Sequence, residues 1–319
     1  MTNEPTMEAS RANATARTPP SLAVLIPTHR RPDRLARTLK ALDHARAQTP
    51  FDVHVADSTP EEDLRGRVRE ACAPYSYVSL TQHPGDFGFA QKLNFMAREA
   101  QAELLIDLVD DIDVEEGAIA ALVDKYAGAS GWRVVAGSVA WGEDWTRPVV
   151  MRWIGYGRSA LPGEDPTFAV TAFILLPRQL ALACPYLETT SYYDDYLIGS
   201  LWRAKGVKIL YEPRARARHD EEHTAYGTDH EAGRVYANLF ESLVANRSIP
   251  HAIAWEALGF LAGAKKYLRR RETALGYLRA YADGHRRFVR DRALLRAAVE
   301  APLAAPPPSG LSVLTQSRG

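Results

Sequence analysis

Carboxylates are concentrated directly after one apolar run of this sequence. Residues 104–109 form a mostly apolar run that predicts a buried strand, and Asp110, Asp111 and Asp113 follow it. In an open α/β sheet the carboxyl ends of the strands border the ligand crevice, so acids placed there can share a divalent cation with an anionic ligand. The alternative is an acidic turn in which Asp111 or Asp113 caps a helix that begins near Glu115.

Apolar and amphipathic segments alternate along the part of the chain that must position these acids. The predicted strands are residues 22–26, 51–56, 77–80 and 104–109, and the predicted helices follow at 35–42, 61–72 and 90–102. Each strand ends in a polar loop, which indicates a mostly parallel sheet with right-handed crossovers. The polar ends of the first, second and fourth strands should therefore lie at one edge, where a nucleotide would bind.

Motifs at these strand ends and on the third helix carry a resemblance to a known family. They are Ile26-Pro-Thr-His-Arg-Arg-Pro32, Val55-Ala-Asp-Ser-Thr-Pro60, Gly88-Phe-Ala-Gln-Lys-Leu-Asn94 and Leu108-Val-Asp-Asp111. In order and spacing they resemble the family-two, inverting nucleotide-sugar glycosyltransferases. The resemblance implies the GT-A fold, an α/β architecture with a mostly parallel nucleotide-binding sheet flanked by helices.

The same resemblance implies the residues of a donor site. The implied contacts to the nucleotide-sugar are Pro27, Thr28, Arg30, Asp57, Lys92, Asn94 and Asp110. Asp111 is the implied ligand of Mg²⁺ or Mn²⁺, with His219 as its partner. For Lys92 the alternative is a solvated helix face. Two positions depart from the family pattern, because Ser58 stands where a second acid or Asn is usual and Val109 where Asp or Thr is usual.

A second acidic cluster begins the acceptor side of the resemblance. Tyr192-Tyr-Asp-Asp-Tyr196 precedes a helix and a strand that closes at His219. The family's pattern implies that Asp195 is the general base, since a hydroxyl nucleophile needs a carboxylate within hydrogen-bond reach. For Asp194 the alternative is a helix N-cap. His223 and His230 are either structural or part of an acceptor flap, and Trp141, Trp145, Trp153 and Tyr156 either stack on an acceptor or pack internally.

The domain organisation follows from these patterns. We expect disordered tails at 1–20 and 301–319, a catalytic domain at 21–230 with donor half 21–120 and acceptor half 121–230, and a helical C-terminal extension at 231–300. Residues 265–296 are strongly basic beside an apolar stripe that includes Leu275, Leu278 and Phe288. One interpretation is peripheral contact with an anionic membrane or acidic partner; the other is docking on the catalytic domain.

The composition of the chain bears on its partners, its cellular location and its source. Lys plus Arg and Asp plus Glu both total 39, so net charge gives no argument for a nucleic-acid partner. Two cysteines, and the absence of a signal-peptide or membrane-spanning run, predict a cytoplasmic protein, peripheral at most to the inner face of the membrane. The Ala- and Arg-rich composition suggests a bacterial source with a GC-rich genome.

These observations predict a metal-dependent, inverting transfer of a sugar to the hydroxyl of a small metabolite or an envelope glycan. The Gln-x-x-Arg-Trp signature of processive synthases is absent from the sequence, which favours a single transfer. One alternative is a sugar-1-phosphate nucleotidyltransferase, although the loop Pro27-Thr-His-Arg30 lacks the glycines of such enzymes. The other alternative is a catalytically degenerate transferase that binds a nucleotide and serves as a partner subunit. The departures from the family pattern at Ser58 and Val109 leave this alternative open.

Overall fold

The computed structural model describes residues 21–304 apart from 84, 86, 152–156, 190–192, 220–227 and 268–270. The expected tail at 1–20 and most of the expected tail at 301–319 lie outside these residues. Trp153, Tyr156, His223, Arg269 and Arg270 do so as well.

Strands and helices alternate as the sequence predicts through the first four strands, with further short strands in the second half. The strands are β1 (Leu22–Thr28), β2 (Asp52–Asp57), β3 (Val78–Gln82), β4 (Leu104–Leu108), β5 (Ile112–Val114), β6 (Arg133–Trp141), β7 (Asp144–Thr146), β8 (Val149–Met151), β9 (Gly157–Ser159), β10 (Phe173–Pro177) and β11 (Lys208–His219). The helices are α1 (Pro32–Arg46), α2 (Glu62–Cys72), α3 (Phe89–Glu99), α4 (Ala118–Ala127), α5 (Arg178–Ala183), α6 (Asp194–Ala204), α7 (Thr228–Leu239), α8 (Ile249–Tyr267) and α9 (Arg271–Glu300). A π-helical segment, Phe240–Ala245, joins α7 to the loop before α8.

The main sheet has the strand order β3-β2-β1-β4-β10-β6-β11-β5, and β7 pairs with β6 at its side. The first four strands in this order are parallel, and β11 is parallel to β6. Strand β10 is antiparallel to both β4 and β6. The predicted α/β, mostly parallel sheet flanked by helices is therefore confirmed, and β10 is its internal antiparallel strand.

Continuous apolar runs form the central strands because both faces of the sheet are covered. Every residue of β1, β4 and β10 is buried. Val24 and Ile26 of β1 pack in the core under α1, α2 and α4, whereas Ala23 and Leu25 pack in the core on the other side. This alternation follows from the two-residue period of a strand. The side chains of β1 therefore contribute to the cores on both faces of the sheet.

The C-terminal helices belong to the second of these two cores. Tyr236 and Phe240 pack there with Phe288 and Leu295 of α9. The extension thus shares the core on one face of the sheet, and its contacts to the rest of the domain include helix α6. The predicted apolar stripe of α9 is wrong at its start, because Leu275 is 53% exposed and Leu278 is 45% exposed. Over the described residues, no helix combines the length and the apolar character needed to cross a bilayer.

The predicted helix cap after β4 is also wrong. Asp113 lies in the short strand β5, where it is exposed and stands opposite Arg218 of β11. Helix α4 begins only at Ala118, after Gly117 has turned the chain with a φ of 74°. A left-handed φ of this kind suits glycine, so the turn needs no acidic cap.

Candidate functional site

The ends of β1, β2 and β4 place polar side chains together at one sheet edge. Thr28 is the register partner of Asp57, the last residue of β2. The Thr28 hydroxyl donates a 2.5 Å hydrogen bond to Oδ2 of Asp110, which follows β4. The Thr38 hydroxyl of α1 donates to the backbone carbonyl of Asp110 at 3.1 Å. These contacts fix the loop that carries the acids against the start of α1.

Asp57 is fully buried and its carboxylate organises the loop after β2. Its Oδ1 accepts hydrogen bonds from the backbone N–H of Thr59 at 2.9 Å and from the Thr59 hydroxyl at 2.5 Å. Its Oδ2 accepts from Nε2 of Gln82 at 2.9 Å. Asp57 therefore lies at the predicted edge, and its hydrogen bonds hold the loop after β2 in place.

Lys92 is 5% exposed, so the solvated helix face considered for it is wrong. Its Nζ donates to the backbone carbonyl of Thr28 at 2.8 Å and to the hydroxyl of Ser58 at 2.9 Å. Burial lowers the pKa of Lys92 to about 8, although Asp110 and Asp57 act in the opposite direction. Ser58, the departure from the family pattern, is thus the partner of a buried ammonium beneath the edge.

The arginines after β1 divide between two roles. Arg30, the predicted donor contact, instead pairs with Glu61 at the surface, with NH2 2.5 Å from Oε1. Arg31 and Arg34, which sequence reasoning missed, both reach Asp111: their NH1 atoms lie 2.8 Å and 3.3 Å from Oδ2. Helical spacing offers no signal for this pair, because Arg31 is the N-cap residue before α1 and only Arg34 lies within the helix.

Asp111 and His219 meet because β5 pairs with the end of β11. His219 is the register partner of Ile112, the residue after Asp111. Nε2 of His219 lies 3.0 Å from Oδ1 of Asp111, and both side chains are almost fully buried. The ring of Trp141 stacks on the His219 ring, with centroids 3.7 Å apart. The structure thus brings together the two residues predicted to ligate a metal.

The donor set fits a divalent cation that completes its shell with ligand and water oxygens. Two donors at right angles around an ion with bonds of about 2.1 Å lie about 3 Å apart, which is the separation of the Asp111 and His219 atoms. Burial alone would raise the pKa of Asp111, but His219, Arg31 and Arg34 together hold it below its usual range. No cluster of three or more His, Cys, Asp or Glu suited to a metal occurs among the described residues. A cation here would therefore rely on phosphate oxygens, as Mg²⁺ commonly does.

Asp110 differs from its neighbour in its electrostatics. Burial raises the pKa of Asp110 to about 6, and the hydrogen bond from Thr28 opposes that rise. The two adjacent acids therefore differ in the groups that hold their side chains at neutral pH. Asp111 is held as a carboxylate by cations, and Asp110 is held in place by hydroxyls of β1 and α1.

Asn94 connects α3 to the segment that leads toward the second acidic cluster. Its Nδ2 donates to the carbonyl of Tyr186 and to Oε1 of Glu188, both at 2.9 Å, and its Oδ1 accepts from the N–H of Tyr186 at 2.9 Å. These bonds occupy the amide that the resemblance assigns to the donor. Asn94 is thus placed to position the 186–188 segment.

Asp107 is a buried acid within β4 that sequence reasoning did not single out. Its Oδ2 accepts a 2.6 Å hydrogen bond from the Tyr186 hydroxyl. Burial raises the pKa of Asp107 to about 7, and the hydrogen bond only partly opposes this. The available signal was an acid inside an otherwise apolar run, because such a residue must find a partner when buried.

Replacing Asp107 with Asn should change the pH dependence of stability. Between about pH 4 and pH 7 the folded state keeps a proton that the unfolded state releases, so stability falls as pH rises through that window. Asp107→Asn has no such proton, so its free energy of unfolding should gain roughly 1 to 3 kcal/mol on the unmodified chain between pH 5 and pH 8. Urea unfolding at both pH values measures this. A difference between the two proteins that does not change with pH would contradict the raised pKa.

The second acidic cluster lies at the start of α6. Tyr193, in the N-cap position, has a φ of 66°, and Asp194 is the first helical residue, so the N-cap alternative for Asp194 is wrong. A bulky residue in the left-handed region costs of order 1 to 3 kcal/mol and is typical of functional sites. Both acids are partly exposed and lie within electrostatic reach of the Tyr186 hydroxyl.

Both acids have a raised pKa, and they differ in their hydrogen-bond partners. Burial raises the pKa of Asp195 to about 6, with backbone N–H groups opposing the rise. Burial, helped by the charge of Asp195, raises the pKa of Asp194 to about 7. Within the described part of the chain, Oδ1 of Asp194 is buried without a hydrogen-bond partner. Burial thus makes both side chains weaker acids than a solvated aspartate.

Trp141 and Trp145, the two tryptophans considered for an acceptor that lie among the described residues, have protein partners. Trp145 packs against the guanidinium of Arg216, 4.0 Å from the ring centroid, and Trp141 covers His219. His230 lies beside the Tyr193 ring, with centroids 4.7 Å apart. Trp141 and Trp145 therefore help to hold the end of β11 next to the acids.

Comparison with known proteins places this geometry in a family. The profile of Glycosyl transferase family 2 matches residues 23–180. A search of curated protein sequences gave no significant match.

Two solved structures share the fold at low sequence identity. GalNAc-T7 with UDP, GalNAc and Mn²⁺ is 15% identical with a TM-score of 0.55, over 69% of this chain and 47% of that one. This chain thus spans less than half of the GalNAc-T7 chain. Mannosyltransferase PcManGT from Pyrobaculum calidifontis, in complex with GDP-Man and Mn²⁺, is 13% identical with a TM-score of 0.52, over 90% of this chain and 92% of that one.

The family match covers β1 to the start of α5, including the strand ends that carry Thr28, Asp57 and Asp111. It favours glycosyl transfer over the nucleotidyltransferase alternative. Residues 23–180 belong to glycosyl transferase family 2, and the chain has the GT-A fold.

Proposed function

We propose that this chain is an inverting, metal-dependent, non-processive transferase that moves a hexosyl or pentosyl group from a nucleoside-diphosphate donor to a hydroxyl acceptor. The acceptor class we propose is a small metabolite or an envelope glycan. The observation that carries the proposal is the meeting of Asp110, Asp111 and His219 at the carboxyl edge of a family 2 sheet, with the Asp194–Asp195 pair supplied by α6.

The donor edge suits a nucleoside diphosphate. Thr28 and Asp57 lie at neighbouring strand ends, where the nucleoside would bind in an open α/β sheet. Arg31 and Arg34 bring two guanidinium groups to the acids, and guanidinium groups bind phosphate oxygens in two-pronged fashion. Lys92 holds the carbonyl of Thr28, which keeps this edge rigid.

Asp111 and His219 are the residues that would hold Mg²⁺ or Mn²⁺ together with diphosphate oxygens. Such a cation supplies Lewis-acid neutralisation of the diphosphate charge. Both structural relatives were solved with Mn²⁺ and a nucleotide, which supports a divalent cation for this chain. The stacked ring of Trp141 fixes the orientation of His219.

Asp195 is the proposed general base. A carboxylate with a pKa of about 6 is ionised at neutral pH and still basic enough to take the proton from an acceptor hydroxyl. Direct attack by that hydroxyl on the anomeric carbon, with departure of the nucleotide from the opposite face, inverts the configuration. No covalent protein intermediate is needed, so one base suffices.

We also propose a cytoplasmic location, with peripheral contact to the inner face of the membrane through the C-terminal helices. The free, buried thiols of Cys72 and Cys184 support a reducing compartment.

A thermal-shift screen of nucleoside diphosphates with and without Mn²⁺ tests the proposed donor. UDP and GDP come first, because these bases accompany the two structural relatives. At a ligand concentration 100 times Kd the native state gains about 2.7 kcal/mol, which should raise Tm by about 4 to 5 °C in the presence of the metal. Transfer from the matching sugar nucleotide, with the product anomer read by NMR, follows. No shift with any nucleoside diphosphate, or a retained anomer, would contradict the proposal.

A further inference from the structure

The outward face of α8 is apolar. Ile249 is 67% exposed, Ile253 is 65% exposed and Leu261 is 64% exposed. These residues recur at a spacing of four or eight, so they form one strip along the helix, which ends at the exposed Lys265. The acid of this helix, Glu256, is turned inward to the Tyr281 hydroxyl and to His285. An exposed apolar strip without acids is unusual on a soluble protein and marks a contact surface.

A cleft of about 540 Å³ opens beside the start of this strip, between the π-helical segment, the start of α8 and the end of α9. Its apolar lining includes Leu243, Ile249 and Val299, and its polar lining consists of three arginines and one acid, Arg247, Arg292, Arg296 and Glu300. The cleft thus combines an apolar wall with a cationic rim, which is complementary to an anion that carries an apolar chain.

Two of the rim arginines are free to take an anion. Arg292 and Arg296 are one helical turn apart on α9, are both exposed, and have no acidic partner within the described residues. The other long-chain cations nearby on α9 are paired: Arg286 contacts Asp283 and Arg290 contacts Asp291. Toward the C-terminal end of α9, the arginines that have no acidic partner in the described part of the chain therefore lie at the cleft.

Arg247 completes the rim and is held by a surface acid. Its NH2 lies 3.0 Å from Oε1 of Glu300, and both side chains are mostly exposed. Its backbone has a φ of 52°, directly after the π-helical segment. A non-glycine residue in this region is strained, and π-helical turns are frequent at functional sites. The strained backbone of Arg247 thus places its guanidinium group at the cleft.

We propose that the cleft binds the phosphate of an anionic membrane phospholipid, while the apolar strip of α8 lies in the boundary between headgroups and acyl chains. Arg292, Arg296 and Arg247 take the phosphate oxygens, since guanidinium groups match that geometry. Ile249 and Ile253 enter the apolar layer beside it, as in helices that lie in a membrane interface. This docking does not depend on the sugar chemistry proposed for the donor site.

Vesicle co-sedimentation of the full chain at low salt tests the inference. Vesicles of phosphatidylglycerol and phosphatidylcholine in equal parts should bind the chain, and vesicles of phosphatidylcholine alone should not. Each basic residue near such a surface is worth about fivefold in affinity, so Arg292→Ala with Arg296→Ala should weaken binding roughly 20- to 30-fold.

The matched control is Arg286→Ala with Arg290→Ala. It removes the same charge from the same helix but leaves the cleft intact, so binding should fall less than about threefold. Glu300→Gln frees Arg247 from its competitor and should strengthen binding. All these positions are exposed, and unchanged Tm values would show that the variants are folded.

Three results would overturn the inference. The first is no binding of the unmodified chain to the anionic vesicles. The second is an equal loss in the two double variants, which would mean that net charge alone attracts the chain. The third is release by millimolar inorganic phosphate while a soluble short-chain phosphatidylglycerol has no effect, which would identify a free-phosphate site.

Discussion

Asp195→Asn should reduce turnover by roughly 10² to 10⁴-fold, because the amide keeps the size of the side chain but cannot accept a proton from the acceptor. Donor affinity should barely change, since Asp195 lies at the start of α6, whereas the donor contacts come from the ends of β1, β2 and β4. Initial rates at saturating donor, together with nucleotide affinity from titration calorimetry, separate the two effects.

The pH profile adds a second readout for Asp195. A base with a pKa raised to about 6 is protonated below that pH, so activity should fall as pH drops through about 6 and level off above it. Asp194→Asn is the control and should cost far less activity at equal folded fraction. If Asp194→Asn is inactive and Asp195→Asn is active, the base is the preceding residue. If both variants remain active, the inverting mechanism proposed for this chain is wrong.

Asp111→Ala should abolish the metal dependence of nucleoside-diphosphate binding. Asp111 is the carboxylate nearest His219, and its removal leaves no paired oxygen and nitrogen donors at that point. The same change removes the Asp111 carboxylate from the surroundings of the Arg31 and Arg34 guanidinium groups. Binding without metal should therefore persist or strengthen, while the gain from Mn²⁺ disappears. Titration calorimetry with UDP and GDP, with and without Mn²⁺, measures both quantities.

Asp113→Ala is the matched control for Asp111. Asp113 is only two residues away but is exposed in β5, so metal dependence should be unchanged. The loss of about 1 kcal/mol that a helix cap would predict should also be absent, because no helix begins there. Unchanged metal dependence in Asp111→Ala, or its loss in Asp113→Ala, would move the metal ligand away from Asp111.

The donor half was predictable because its signals are local. Strands β1, β2 and β4 are apolar runs that end in polar residues, and parallel topology brings such ends to one edge. Asp110 and Asp111 could therefore be placed beside Thr28 from the sequence alone. The pairing of Asp111 with His219 came from the family resemblance, since residues so far apart share no local signal.

The remaining features depend on tertiary contacts that a sequence pattern does not encode. Arg30 and Arg31 are adjacent and identical in chemistry. Because their side chains point in different directions, Arg30 pairs with Glu61 and Arg31 with Asp111. Lys92 looks like a surface residue until the Thr28 carbonyl and Ser58 surround it. The three-residue strand β5 is too short to carry a period, and it took the place of the expected helix cap at Asp113.

The antiparallel strand β10 has a consequence for synthesis of the chain. Strand β4 is fully buried between β1 and β10, but β10 begins at Phe173, which pairs with Leu108. At 5 to 20 residues per second the ribosome needs roughly 3 to 13 s to make the intervening chain, and during that time β4 has an open, apolar edge. A pause in translation within this interval would lengthen the time for which this edge of β4 is open to pairing with strands of other chains.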